Sequence, residues 1–100
     1  MFFKKGVQTM KETTEYFIEV IGYSEETEND VPFYVSKDDD EWLTRWDEDA
    51  ATYSNYSDAE HIVNTYDAQC FVPELEEEDL TYKESRIYSR TIKLVEVIKD

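Results

Sequence analysis

Residues 86–99 read RIYSRTIKLVEVIK, and this run decides the fold. In an extended chain Ile92, Leu94 and Ile98 share one face, and Val95 and Val97 share the other. A strand that is apolar on both faces near its end belongs inside a sheet. The run is also neutral to basic within an acidic chain, so it is expected to be the central spine. Two shorter runs supply neighbours. YFIEVIG (16–22) puts Tyr16, Ile18 and Val20 on one face and Phe17, Glu19 and Ile21 on the other. VPFYVS (31–36) reads as its partner strand, with Pro32 marking an edge or a strand opening. The polar acidic stretch YSEETEND (23–30) joins the two as a long hairpin loop.

The clearest helix lies in YSNYSDAEHIVNTYD (53–67). Ala59, Ile62, Val63 and Tyr66 recur at helical spacing and form a core-facing stripe. Ser57 is expected as the N-cap, with Glu60 as its capping-box partner. His61 sits beside the stripe, at a surface or interface position rather than a catalytic one. AQCFVPEL (68–75) reads as a weak strand, and EEEDLTYKES (76–85) as a loop or ragged strand. In KDDDEWLTRWDEDA (37–50), Asp38 and Glu41 match a capping box opening a short helix. Trp42 and Trp46 then lie on one side of it, with Leu43 beside them. The expected fold class is α+β: a small antiparallel sheet in the order β-β-α-(β)-β with one main helix packed on a face. The strands fall near 16–22, 31–36 and 86–98 and the helix near 58–67.

One hundred residues support a single domain and one core. Hydrophobic residues make up 40% and aromatics 15%, too many for a disordered acidic tail. The lone Cys70 sits in an apolar run with no flanking base, which marks it as a buried spectator. No signal peptide or membrane span is legible, so the expected location is the cytoplasm. The start of the chain reads differently. Lys5-Gly6-Val7 can be encoded AAA-GGA-GTN, which contains the ribosome-binding sequence AAAGGAG, and Gln8 and Thr9 supply a spacer before Met10. Residues 1–9 therefore read as a translated or flexible leader on a bacterial or bacteriophage gene, and 10–100 as the α+β domain.

Net charge is −15 and unevenly placed. Residues 12–82 carry 22 acids against Lys37 and Arg45 alone, while residues 83–100 carry five bases and three acids. Self-repulsion of this size works against a compact state. Charge of this sign excludes direct nucleic-acid binding, which relies on cations to displace phosphate counterions. Lys83, Arg86, Arg90 and Lys93 are expected to pair with nearby acids instead. An EF-hand loop needs alternating oxygens and a glycine at its turn, and neither Asp38 nor Asp47 begins one. Zinc needs clustered Cys and His, of which the chain has one each. No phosphate-binding or nucleophile-elbow motif is present, and abundant acids make no carboxylate pair stand out. The expectation is a non-enzyme with no cofactor and no metal.

Protein binding remains, with a basic partner. DNA presents one charge per ~3.4 Å of rise on each strand. Alternate strand residues lie about 6.5 Å apart and helix neighbours at i, i+4 about 6 Å apart. Acids at such spacings can occupy sites built for phosphates, and adjacent aromatics add fixed contact area. The candidate contacts are Asp38, Asp39, Asp40, Glu41, Trp42, Trp46, Asp47, Glu48 and Asp49, with a second set at Glu74, Glu76, Glu77, Glu78 and Asp79.

In size, acidity, low cysteine content and α+β class, the chain resembles phage-encoded inhibitors that mimic DNA, of the anti-CRISPR, anti-restriction and uracil-glycosylase-inhibitor types. Those groups share no motif, so no residue role carries over. The resemblance implies an inhibitor that occupies the nucleic-acid surface of a host defence or DNA-processing protein. The strand order and the ATYSNYSDAE helix start (51–60) are also similar to small phage proteins of unknown function. The alternative function is an accessory protein that binds a partner, or itself as a homodimer, through apolar and aromatic surface. The edge near 31–36 or the Tyr-rich segment would then form the contact.

Overall fold

The structure is a computed structural model that describes residues 8–97. It is α+β, with a four-stranded antiparallel sheet in the order β3-β2-β1-β4 and one helical run packed on a face. β1 (Gln8–Ser24) and β2 (Asn29–Val35) form the expected hairpin. Its strands extend further than the alternation suggests, and Ser24 pairs with Asn29 across a four-residue loop rather than a long one. Glu28 takes a left-handed φ of 57° to close that turn.

β4 (Thr81–Val97) corrects the expectation of a central spine. It lies at the edge, and β1 is the central strand, pairing with β2 on one side and β4 on the other. The apolar residues of β4 do not mark burial on two faces, because Ile92 and Leu94 are exposed. β4 starts earlier than expected, taking in part of 76–85, and Ile98 falls outside the described residues. Of the leader 1–9, residues 1–7 also fall outside them, while Gln8 and Thr9 pair with Val97 and Glu96. Pro32 sits opposite Ile21 on a part of β2 whose other side β3 does not reach, as an edge proline requires.

The helix α1 (Tyr56–Tyr66) begins two residues before the expected start. Asn55 caps it, its Oδ1 accepting the Asp58 N–H at 2.9 Å. Ser57 is already inside the helix and donates its hydroxyl to the same oxygen at 2.7 Å. Asn competes well as a cap, and here it pre-empts Ser57. Of the stripe, Ala59 is buried, and Ile62, Val63 and Tyr66 pack against the core.

AQCFVPEL is helical, not a strand. A π-helical segment, Asp67–Phe71, leads into α2 (Val72–Glu77), so the helical run is continuous from Tyr56 to Glu77. Pro73 explains the wide turn. A proline lacks an N–H and crowds the carbonyl four residues back, and a π segment relieves that crowding. The Val72 N–H accordingly donates to the Asp67 carbonyl, five residues back. The run closes the core: Phe71 and Leu75 are fully buried with Ile18 and Val20. Cys70 is half-buried against this cluster. Gly22 is needed where α2 and Leu80 cross β1, since an added Cβ would lie 3.1 Å from Leu75 Cδ2 and 3.2 Å from Leu80 Cβ.

Candidate functional site: an acidic surface around Trp42

Residues 36–50 form a loop whose ends meet, not the short helix expected there. Ser36 and Ala50 make a β-bridge, and the Lys37 N–H donates to the Asp49 carbonyl at 2.9 Å. In its middle, β3 (Leu43–Thr44) pairs with Val35 and Tyr34 and is buried, pinning the loop to the sheet. Tertiary pairing with β2 has overridden the capping pattern. Asp38 caps no helix, and its N–H instead donates to Ser36 Oγ at 3.0 Å in a local turn. Asp47–Asp49 form a single 3-10 turn, with the Asp49 N–H bonded to the Trp46 carbonyl.

This geometry separates the tryptophans. In a strand-centred loop Trp42 and Trp46 no longer sit one helical turn apart. Trp42 lays its indole on Tyr66, with ring centroids 4.7 Å apart, and meets Phe71 edge-on at 6.4 Å. It nonetheless keeps 40% of its surface open, and Trp46 keeps 63%. Neither is a core residue. Ser36, Asp38, Asp39, Glu41 and Trp42 line a shallow hollow of about 170 Å³. Ser36, Tyr66 and Phe71 support this arrangement and were not legible as site residues, because the contacts are long-range.

The second acidic set joins the first through one carboxylate. Glu74 in α2 accepts the Trp42 N–H on Oε1 at 3.3 Å. Its other oxygen, Oε2, is buried and has no hydrogen-bond partner among the described residues. Burial pushes the Glu74 carboxyl above the ordinary carboxylate range, and the charges of Glu41 and Glu77 add to this. The backbone N–H groups of Trp42 and Leu43 pull the other way. Glu74 is thus the hinge between the loop and α2, and only partly a surface contact.

Glu76 and Glu77 end α2, and Glu78 and Asp79 form the turn that follows. Acids at a helix C-terminus oppose the helix dipole, and no base lies in the last turn. Asp79 holds a left-handed φ of 59°, the position where glycine usually stands, and the Leu80 N–H closes back on the Leu75 carbonyl at 2.9 Å.

The bases are occupied elsewhere. Lys83 pairs with Asp30, Arg86 with Glu84, Arg90 with Glu15 and Lys93 with Glu12, as expected of the C-terminal segment. Among the described residues, Asp49 alone of the twelve candidate carboxylates has an ion-pair partner, Lys37 at 3.9 Å. Asp38, Asp39, Asp40, Glu41, Asp47, Glu48, Glu76, Glu77, Glu78 and Asp79 have none there. Asp47 also lies near Tyr34, whose phenol is pushed up by burial first and then by the charges of Glu19 and Asp47. Among the described residues no three His, Cys, Asp or Glu side chains are grouped to hold a metal ion. No helix there is long and apolar enough to cross a membrane.

Comparison with protein-family models, with curated proteins and with solved structures finds no match in any of the three.

Proposed function

We propose that this chain is a non-enzymatic inhibitor that binds a basic, nucleic-acid-handling protein and fills its phosphate-binding groove, acting in the cytoplasm of a bacterial host. The observation that carries the reading is the Trp42–Glu74 junction. It fixes two acid-dense segments against each other around a half-open indole, and eleven of their twelve carboxylates lack an ion-pair partner among the described residues. A chain under selection for stability alone would place bases at the end of α2 and a glycine at position 79. This one carries acids at both. Unpaired carboxylates give long-range attraction to a basic groove, and Trp42 gives a rigid contact at the centre of the patch.

The test is capture from a bacterial lysate at low and high salt, with duplex DNA as competitor. The expected catch is a DNA-binding or nuclease protein that is released by DNA, lost as salt rises, and not held by the D47N/E48Q/D49N variant. A catch indifferent to DNA, salt and the triple change would refute the proposal, as would no catch at all.

A further inference from the structure

β1 and β4 continue together beyond the rest of the sheet. β2 pairs with β1 only over Glu19–Ser24, whereas β4 pairs with it from Gln8 onward. The last lateral support is the bridge between Tyr16 and Tyr53. Gln8–Glu15 and Arg90–Val97 therefore form a two-stranded arm, and the molecule measures 69 × 28 × 22 Å. A two-stranded ribbon is marginal alone in water.

One face of this ribbon continues the core side, through Ile18, Val20 and Ile87. The opposite face has no helix over it. There the register aligns Phe17 with Tyr88, Glu15 with Arg90, Thr13 with Ile92 and Lys11 with Leu94. Phe17 stacks on Tyr88 with ring centroids 5.7 Å apart. Tyr88, Ile92 and Leu94 are 39%, 37% and 54% exposed, and they lead out along the arm on either side of the Arg90–Glu15 ion pair, whose guanidinium lies over Phe17.

Charge selects the occupant. Over residues 8–18 and 87–97 the bases Lys11, Arg90 and Lys93 balance the acids Glu12, Glu15 and Glu96, so this part is neutral. Residues 19–86 carry 21 acids against four bases. A nucleic acid is repelled by that body and finds no net positive charge on the arm, where Arg90 is paired with Glu15 and Lys93 with Glu12. A basic protein is drawn to the body instead. A face of matching length, apolar at Tyr88, Ile92 and Leu94 and with Arg90 already paired to Glu15, is what the arm itself offers. Two arms laid antiparallel also keep the bodies apart: eight strand residues span about 27 Å, against a screening length of about 8 Å at physiological ionic strength. Repulsion between two highly charged bodies is then largely screened.

We infer that the helix-free face of the β1–β4 arm is a homodimer interface, seated on the same face of a second copy. It is independent of the inhibitor reading and needs no partner to test. Sedimentation equilibrium of the full chain should give a mass twice 11.9 kDa, undiminished by salt. The I92T/L94T variant keeps β-branched residues in the strand and should sediment at 11.9 kDa with an unchanged circular dichroism spectrum. The D47N/E48Q/D49N variant should remain dimeric. Hydrogen exchange of the unsubstituted chain supplies a second reading, with arm amides slowing as protein concentration rises. A wild-type mass of 11.9 kDa at every concentration would overturn the inference. So would a dimer that survives I92T/L94T, or arm exchange that ignores concentration.

Discussion

Glu74 joins stability to the acidic surface at a single side chain. Its Oε1 serves the Trp42 N–H, while its Oε2 is buried without a partner among the described residues. Burial raises its folded-state pKa above the unfolded value, so the folded chain holds the proton more tightly. Its contribution is therefore most favourable at acid pH and is lost as pH rises through the folded value. Thermal melts of the wild type should accordingly rise as pH falls from neutral toward the carboxylate range. E74Q keeps an oxygen for Trp42 and discards the charge. It should melt at or above the wild type at neutral pH, with a shallower gain on acidification. E74A discards the acceptor as well and should be less stable than E74Q by about 1 kcal/mol. If E74Q melts lower at neutral pH and steepens the pH dependence, the carboxylate is stabilising as a charge and burial does not govern it.

Between elements, the decisive contact is α2 crossing β1 at Gly22. A methyl there would press on Leu75 and Leu80, both of which close the core. G22A should cost about 1–3 kcal/mol by overpacking, read as a lowered denaturation midpoint at unchanged slope. A neutral result would mean that α2 can shift away freely. Legibility in the sequence divides along similar lines. The hairpin, α1 and its stripe were readable because their periodicity is local: Ile18 and Val20 on one strand face, Ala59, Ile62 and Val63 on one helix side. Residues 68–75 misled because AQCFVPEL is apolar, short and carries a proline, and only packing of Phe71 and Leu75 under the sheet makes it helical. The capping pattern at Asp38 misled because Leu43 and Thr44 gain more by pairing with β2. β4 misled because its apolar row reads as burial, although half of it is an uncovered face. The composition of the acidic surface was legible. The junction that assembles it was not, since Trp42 and Glu74 are 32 positions apart.

At the scale of the whole molecule the governing quantity is a charge of −15 concentrated between the two ends of the chain. The few bases of residues 83–97 are already spent on β1, β2 and β4, which leaves the acids of 36–50 and 74–79 to repel one another. Ion pairs across the sheet lose strength in salt, but exposed pairs contribute little, roughly 0–1 kcal/mol each. Repulsion among the unpaired acids outweighs those pairs, so its relief should win. Raising salt from about 0.01 M to about 1 M shortens the screening length from ~30 Å to ~3 Å. The melting temperature should rise across that range. The same titration on D47N/E48Q/D49N should start from a higher melting temperature at low salt and rise less. A wild-type melt that falls with salt would mean that attractive pairs, not repulsion, dominate the fold, and the acids of the loop would then be structural rather than held ready for a partner.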